Sequence, residues 1–302
     1  MNIGESLRPT EAASAKKILE NGLNFGEFSQ MPEYVEVNRN LVKTFLSKLP
    51  RRFIHVDVAA GTGMVEKLIK EESEVAGKTG IIIGVDPNST SLAIARENVI
   101  SSQSVSIKFI EGIGQNLKQL LKDEISEEGV DSTSILDALH EIRDNEDKVK
   151  VIQSMTDNLK PNGFLSFNSA FTTISNNEAQ NKWGRWKLIA MKRLGIRERN
   201  ENADAMPILA PQVYKDMIEK AGLVVIHEKN TSVFLTKGAL KAIARYPAFF
   251  RGTFDDIRGQ EKISDIDKSN ALVEAMEELG FPGLPKIWYE IIAQKPCAAT
   301  AL

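Results

Sequence analysis

The sequence predicts an α/β fold in which a doubly wound, mostly parallel sheet carries helices on both of its faces. Short apolar runs recur along the chain, amphipathic helical patterns separate them, and a turn of small residues follows the first run. Strands that alternate with helices in this way are typical of parallel sheets covered on both sides. The chain of 302 residues is long enough to bury such a core.

The first predicted elements are a helix, two strands and a second helix. Residues 31–49 carry apolar side chains at helical spacing until a proline ends the pattern. Residues 53–58 suit a buried strand, and the apolar run GIIIGVD at 80–86 predicts a second strand. Asn88 fits the N-cap of an amphipathic helix over 88–99.

Three further strands are predicted in the middle of the chain, at VSIKFIEG (105–112), STSILDAL (132–139) and GFLSFNSAF (163–171). A helix at 145–159 precedes the turn KPNG. The alternation of strands and helices then stops, because residues 172–207 are polar and rich in asparagine and basic side chains.

The alternation resumes with a helix that Gly222 ends and with a strand after it. A second insertion at 237–285 contains two helical patterns, and residues 286–295 form the last predicted strand. We therefore expect one core at 51–302 that carries two insertions, rather than two independent domains. An N-terminal helical cap at 1–50 precedes this core.

The composition argues against several classes of function. The formal net charge is −3, so no basic field favours a nucleic-acid partner. Cys297 is the one cysteine, which excludes an internal disulfide and a cysteine-based metal site, and we expect no metal. No apolar run reaches the roughly 18 residues of a membrane span, and the N-terminus lacks the apolar core of a signal peptide. We expect a cytoplasmic protein without stable membrane insertion.

The stretch FIHVDVAAGTGMVEKL runs from a strand through a turn of very small residues into a helix. Such a turn lets a ligand approach the backbone, and the helix N-terminus offers free N–H groups to it. The dinucleotide fingerprint G-x-G-x-x-G fails because Glu66 stands at the third glycine, and no Gly-Lys-Ser/Thr follows as in a P-loop. A nicotinamide-dependent dehydrogenase is therefore the weaker alternative.

The stretch DVAAGTG, from Asp57 to Gly63, resembles motif I of the class I S-adenosylmethionine-dependent methyltransferases, D-x-G-x-G-x-G. Ala59 replaces the first glycine, and alanine there is familiar in the ubiquinone and menaquinone C-methyltransferase branch. Four further segments resemble the family in the same order: GIIIGVD with its final Asp86, FIEGIGQNL, DSTSILDALHEIRD and LKPNGFLSF. The resemblance covers residues 48–171 well and implies a Rossmann-like, seven-stranded sheet.

The resemblance also assigns residues to the cofactor S-adenosyl-L-methionine. An acidic residue at the position of Asp86 accepts hydrogen bonds from the ribose hydroxyls. Ile113 stands where the family usually has an adenine-binding aspartate, so a backbone group, Gln115 or Asn116 would read the ring amine instead. The cofactor residues that the resemblance implies are Asp57, Ala59, Ala60, Gly61, Gly63, Asp86, Pro87, Gly112, Ile113, Gly114, Gln115 and Asp137.

Four residues are candidates for contact with the methyl acceptor. His140 follows the fourth strand, at the edge where open α/β sheets bind ligands, and its imidazole could accept a proton near neutral pH. Relatives often carry a histidine here that is not the base. Tyr34 resembles an aromatic residue that closes over the methionine end in some relatives, and core packing is the alternative. Trp183 and Trp186 lie either in a packed core or on a lid that lines the acceptor pocket.

The resemblance therefore predicts methyl transfer to oxygen, carbon or nitrogen of a small-molecule acceptor, with the two insertions as helical lids that shape its pocket. The sulfonium is already electrophilic, so the protein mainly aligns donor and acceptor and excludes water. Enzymes that methylate exocyclic or amide nitrogens commonly carry [DN]-P-P-[YF] after the fourth strand, where this chain has LDALHE. A cofactor-binding protein of the same fold without methyl transfer is the alternative from another class.

Overall fold

The computed structural model describes residues 24–196, 198 and 209–297. The strands of the described residues are β1 (Arg52–Val58), β2 (Thr79–Asp86), β3 (Val105–Glu111), β4 (Val130–Leu136), β5 (Leu159–Phe171), β6 (Val224–Thr236) and β7 (Gly283–Gln294). Their helices are α1 (Gly26–Ser29), α2 (Pro32–Leu46), α3 (Met64–Val75), α4 (Ser89–Asn98), α5 (Leu117–Leu120), α6 (Asn145–Asp157), α7 (Asn177–Arg193), α8 (Pro211–Lys220), α9 (Lys237–Ile243), α10 (Pro247–Phe254) and α11 (Asp265–Leu279).

The strands form one seven-stranded sheet in the order β3-β2-β1-β4-β5-β7-β6. Strands β1 to β5 pair in parallel, and β7 runs antiparallel to β5. The predicted Rossmann-like, mostly parallel sheet is therefore confirmed. The chain order reverses between β1 and β4, and ligands of open α/β sheets bind at the carboxyl ends of the strands beside such a reversal.

Helices cover both faces of the sheet. Successive side chains of a strand point to opposite faces, so one strand contributes to an apolar cluster on each face. On one face Val56 packs with side chains of α6 and α8, such as Val151 and Ile218. On the other face Phe53 packs with side chains of α2 and α3, such as Phe45 and Ile69. No helix within the described residues is long and apolar enough to cross a membrane.

The chain divides into two compact units. The first, which we call the sheet unit, comprises Tyr34–Ser175, Pro207–Val233 and Lys286–Leu302. The second, the helical unit, comprises Met1–Glu33, Asn176–Met206 and Phe234–Pro285. The helical unit thus contains most of both predicted insertions, 172–207 and 237–285, although residues 199–207 lie outside the described part of the chain. The predicted cap at 1–50 is divided between the units, and its residues 1–23 are also outside the described part.

Several element boundaries differ from the predictions for local reasons. The segment KPNG was predicted to be a turn before the fifth strand, but β5 already begins at Leu159. Asn162 accommodates this by adopting a left-handed φ of 65°, beside a register shift in the pairing of β4 with β5. The second insertion forms three helices instead of two, because Pro247 lacks a backbone N–H and starts a new helix, α10.

Candidate active site

The turn between β1 and α3 is built on left-handed backbone conformations. Ala59 has a φ of 63°, Gly61 of 54° and Gly63 of 85°. The amides of Ala59 and Ala60 donate to the carbonyl of Val85 at 2.8 and 3.2 Å, which ties the turn to the end of β2. A left-handed conformation costs a residue with a Cβ about 1–2 kcal/mol, so Ala59 holds a strained position where the resembled motif has glycine.

The two glycines of the turn have different surroundings. A Cβ on Gly63 would lie 2.8 Å from Val99 Cγ2 and 3.1 Å from Ala95 Cβ, so this glycine permits close packing beside α4. A Cβ on Gly61 would meet no atom within 4 Å, so this glycine leaves open space at the turn. Gly63 is also the N-cap of α3 and supplies no side-chain hydrogen bond, which leaves the first amides of the helix available to a ligand.

Asp86 ends β2 and is fixed across the turn. Its Oδ2 accepts a hydrogen bond from the amide of Gly61 at 2.9 Å, and its Oδ1 accepts one from the amide of Asn88 at 2.8 Å. Burial raises the pKa of Asp86, while these two amides lower it. Each carboxylate oxygen keeps a further lone pair for a ligand hydroxyl. Pro87 follows at the same edge and is exposed.

Two more carboxyl groups lie beneath the turn. Asp57 of β1 is 1% exposed and accepts a hydrogen bond from the Ser134 hydroxyl. Burial raises the pKa of Asp57 to about 7, the Ser134 bond opposes this, and the charge of Asp86 adds to it. Glu66 of α3 is 0% exposed, and neither of its carboxyl oxygens has a hydrogen-bond partner on another described residue. Burial and then the charges of Asp57 and Asp86 hold the pKa of Glu66 well above its usual range.

The loop after β3 lies at the same edge of the sheet. The amide of Gly112 donates to the carbonyl of Asp86 at 3.1 Å. Ile113 is 44% exposed, so its apolar side chain is free to cover a flat ligand ring. Gly114 is closely packed, because a Cβ there would lie 2.8 Å from a valine side chain of β1. Gln115 follows in a short 3₁₀ turn and is partly buried.

The exit of β4 carries the predicted residues Asp137 and His140. Asp137 adopts a left-handed φ of 52°, and its Oδ1 accepts a hydrogen bond from the amide of Ala170 at 3.1 Å. Burial raises the pKa of Asp137 to about 7, while the positive charge of Lys286 lowers it. His140 Nδ1 lies 2.8 Å from the Ser169 hydroxyl. Burial, and then the positive charges of Lys286 and Lys148, lower the pKa of His140 to about 4.

Lys286 of β7 also belongs to this cluster, although no sequence motif pointed to it. Burial lowers the pKa of its ammonium group, and the charge of Asp137 opposes that shift. Lys286 lay inside the apolar run that predicted the last strand. A lysine in a strand that is predicted to be buried was the signal that could have identified it. Burying a charge is costly unless it is paired, so such a lysine indicates an acidic partner or a ligand nearby. The structure therefore brings Asp137, His140 and Lys286 together.

Tyr34 of α2 lies close to the same cluster. It is 2% exposed, and its ring packs edge-on against Trp288 with centroids 6.3 Å apart. Burial and the charges of Asp137 and Glu141 raise its pKa well above the usual range. Tyr34 therefore packs in the core, as the alternative interpretation had it, and is still near enough to Asp137 to be affected by its charge.

Trp183 and Trp186 lie within the helical unit, with ring centroids 5.4 Å apart. Trp186 is 1% exposed, and its indole N–H donates to the carbonyl of Leu272 at 2.8 Å. The indole N–H of Trp183 donates to the carbonyl of Pro285 at 2.9 Å. This burial and these backbone partners support the core-packing interpretation for Trp186. Trp183 is only partly buried.

The comparisons with known proteins agree with this geometry. Residues 54–245, well over half of the chain, match the family described as methyltransferase domain. A comparison with curated protein sequences gave no significant match.

Solved structures share the fold at low sequence identity. A SAM-dependent methyltransferase from Methanosarcina mazei has a TM-score of 0.50 and 13% identity, over 84% of this chain and 98% of that one. The YcgJ protein from Bacillus subtilis has a TM-score of 0.51 and 12% identity, over 87% of this chain and all of that one. With the sheet order, the turn and the family match in agreement, the chain belongs to the S-adenosylmethionine-dependent methyltransferases, and its cofactor is S-adenosyl-L-methionine.

Proposed function

We propose that this methyltransferase acts on a small-molecule acceptor, bound at the carboxyl edge of β4 beside the cofactor. The observation that carries the proposal is the cluster of Asp137, His140 and Lys286. All three side chains are partly exposed, and yet burial dominates the pKa shift of each. Groups that are enclosed but still accessible suit a small ligand better than the surface of a macromolecule.

The turn and its carboxyl groups fit the cofactor. S-adenosylmethionine supplies a methyl group that its positively charged sulfonium makes electrophilic. The open space at Gly61 would admit the cofactor against the backbone, and Asp86 would accept hydrogen bonds from the ribose. Asp57 and Glu66 place further carboxyl groups beneath the turn, and a positively charged ligand would favour their ionised forms. Ile113 would cover the adenine ring, beside Gly112, Gly114 and Gln115.

The acceptor cluster offers a group for binding and a group for proton transfer. The low pKa keeps His140 neutral at neutral pH, and Nδ1 is held at Ser169, so Nε2 would be the ring nitrogen that contacts the acceptor. Burial raises the pKa of Asp137 to about 7, which suits the removal of a proton from a hydroxyl, an amine or an acidic carbon. The resemblance placed Asp137 among the cofactor residues and made His140 the candidate for proton transfer. We propose instead that Asp137 accepts the proton and that His140 and Lys286 orient the acceptor.

The finer assignments of the sequence analysis remain proposals. The ubiquinone and menaquinone C-methyltransferase branch is proposed from Ala59 alone, since alanine is familiar at this position in that branch, and the turn holds it in a left-handed conformation. The net charge of −3 supports an acceptor other than nucleic acid. A cytoplasmic location is a prediction from composition.

A labelled-methyl assay tests the proposal. The protein is incubated with S-[methyl-³H]adenosylmethionine and fractionated cell extract, and the label is followed into small molecules, protein and nucleic acid. We expect label in the small-molecule fraction, and we expect Asp137→Asn to reduce the rate at least tenfold, the usual scale for general acid–base catalysis being about 10²–10⁴. Label in protein or nucleic acid alone would contradict the small-molecule acceptor. Cofactor binding without label in any fraction would favour a cofactor-binding protein.

A further inference from the structure

A ladder of polar side chains runs along one face of the sheet towards the cofactor turn. In the pairing of β1 with β4, His55 lies opposite Ser132 and Asp57 lies opposite Ser134. Residues two apart on a strand share a face, so the four side chains form a continuous series. Ser132 Oγ lies 2.7 Å from His55 Nδ1, Ser134 Oγ lies 2.9 Å from His55 Nε2, and the Ser134 hydroxyl donates to Asp57 Oδ1.

His55 is sealed in the apolar interior. It is 0% exposed, and its ring is stacked on Phe45 with centroids 5.2 Å apart and planes 6° from parallel. Burial lowers the pKa of His55 to about 3, so the ring is neutral and carries one N–H. The other members, Ser132 and Ser134, are also 0% exposed. Bulk water therefore does not reach this network, and the hydroxyl protons are used within the ladder.

The number of protons fixes the direction of every hydrogen bond. Ser134 has one hydroxyl proton, and an ionised Asp57 can only accept, so Ser134 donates to Asp57. Ser134 Oγ must then accept from His55 Nε2, which leaves Nδ1 without a proton. Ser132 consequently donates to Nδ1. If the ring carried its proton on Nδ1 instead, Nε2 would be an acceptor. The single hydroxyl proton of Ser134 would then have to serve both Nε2 and Asp57.

We propose that His55 is a positioning residue, whose Nε2–H holds Ser134 as a donor to Asp57 and so keeps Asp57 ionised for the cofactor. Other influences act on Asp57 as well. Burial opposes its ionisation most, the carboxyl groups of Asp86 from β2 and Glu66 from α3 oppose it too, and Tyr34 from α2 is neutral. The hydrogen bond from Ser134 acts in the opposite direction and favours the ionised form of Asp57. Successive hydrogen bonds polarise one another, so the effect of His55 reaches Asp57 through Ser134. The part of this inference that concerns binding rests on the proposed contact of Asp57 with the cofactor.

Nitrogen-15 NMR of the histidines tests the ladder without a cofactor. The chain has three histidines, and the spectrum of His55→Phe identifies the signal of His55. At pH 8.5, above the titration of Asp57, we expect the proton of His55 on Nε2. A proton on Nδ1 would overturn the inference, whatever the function of the protein.

A double-mutant cycle tests the effect on binding, measured as the calorimetric affinity for S-adenosylmethionine at pH 7.5. Ser134→Ala should weaken binding roughly tenfold, on the scale of one hydrogen bond to a charged group. His55→Phe, which keeps the stacked ring, should weaken it about threefold, and should have no further effect when Ser134 is already alanine. His227→Phe is the matched control, because His227 is hydrogen-bonded to Glu290 at the other end of the sheet, and it should leave the affinity unchanged.

The outcomes separate the inference from the proposed function. Independent, additive effects of His55→Phe and Ser134→Ala would mean that His55 acts by packing alone, which contradicts the ladder. An unchanged affinity in Asp57→Asn, together with an Nε2–H ring in the wild type, would leave the ladder intact and refute the cofactor contact of Asp57. Thermal unfolding of each variant shows whether a loss of affinity reflects a loss of fold.

Discussion

The structure makes a quantitative prediction for Gly61→Ala. Gly61 has a φ of 54°, and an added Cβ would meet no atom within 4 Å, so backbone strain is the only cost to the fold. That strain is about 1–2 kcal/mol for alanine. The loss of unfolded-state freedom on replacing glycine offsets about 0.4–1 kcal/mol of it. We expect a net destabilisation of about 1 kcal/mol, which lowers the melting temperature by roughly 2–4 °C.

Cofactor binding should respond far more strongly than stability. The added methyl would occupy the space through which the cofactor reaches the backbone, and overpacking of this kind costs about 1–3 kcal/mol. We therefore expect the affinity for S-adenosylhomocysteine, measured by calorimetry, to fall roughly 10- to 100-fold. Gly77→Ala is the matched control: Gly77 has a φ of 63° and open space, but it precedes β2 at the opposite edge of the sheet. It should lose the same stability and keep the full affinity.

Gly63→Ala distinguishes the two glycines of the turn. Its Cβ would lie 2.8 Å from Val99 Cγ2, so strain and overpacking combine, and the melting temperature should fall by more than in Gly61→Ala. If Gly61→Ala binds S-adenosylhomocysteine as tightly as the wild type, the cofactor does not approach this backbone, and our account of the turn is refuted. A stability loss in Gly61→Ala well above that of Gly77→Ala would show that the turn has no open space.

Three more results are expected. Asp86→Ala should weaken cofactor binding by about 1–3 kcal/mol in calorimetry, because a ligand loses its charge-assisted hydrogen bonds, and an unchanged affinity would remove Asp86 from the site. Trp186→Ala should destabilise the fold by about 3–5 kcal/mol in urea unfolding, as expected for a buried aromatic residue, whereas a lid role for Trp183 and Trp186 predicts impaired acceptor use with an unchanged melting temperature. Burial raises the pKa of Asp57, so the folded state binds the extra proton between about pH 4 and 7, and stability falls as pH rises through that window. Asp57→Asn should remove this contribution to the pH dependence, which amounts to at most about 4 kcal/mol. The free energy of unfolding is measured by urea unfolding at several pH values, and the same dependence on pH in both proteins would contradict the raised pKa of Asp57.

The sheet could be predicted because its signals are local. The strand predicted at 53–58 is observed as Arg52–Val58, and the strand predicted at 80–86 is observed as Thr79–Asp86. Asn88 caps its helix as predicted, and its side chain accepts from the amides of Thr90 and Ser91. Each of these features depends on hydrogen bonds and burial within a few residues, so a short stretch of sequence contains the whole cause.

The features that the sequence did not predict lie where distant segments decide the local structure. The start of β5 at Leu159 depends on pairing with Val130 of β4 and on a positive φ at Asn162, none of which the motif LKPNG reveals. Helices α7 and α11 likewise belong to the same compact unit although they are far apart in the chain, and no local pattern links them. Sequence periodicity reports the face that a segment buries, and it does not report which segment covers that face.

The same distinction explains which half of the proposed site a sequence motif can indicate. The proposed cofactor side is a turn and a strand end. Gly61, Gly63 and Asp86 fall within one strand–helix–strand unit, so their spacing forms a motif. The proposed acceptor side joins Asp137 at the exit of β4 to Lys286 on β7, and no fixed spacing in the sequence links these two residues. The structure adds a physical reason for their pairing, since an enclosed ammonium group and an enclosed carboxyl group each favour the charged form of the other. Family relatives with other acceptors are therefore expected to share the turn and to differ at the positions of Asp137 and Lys286.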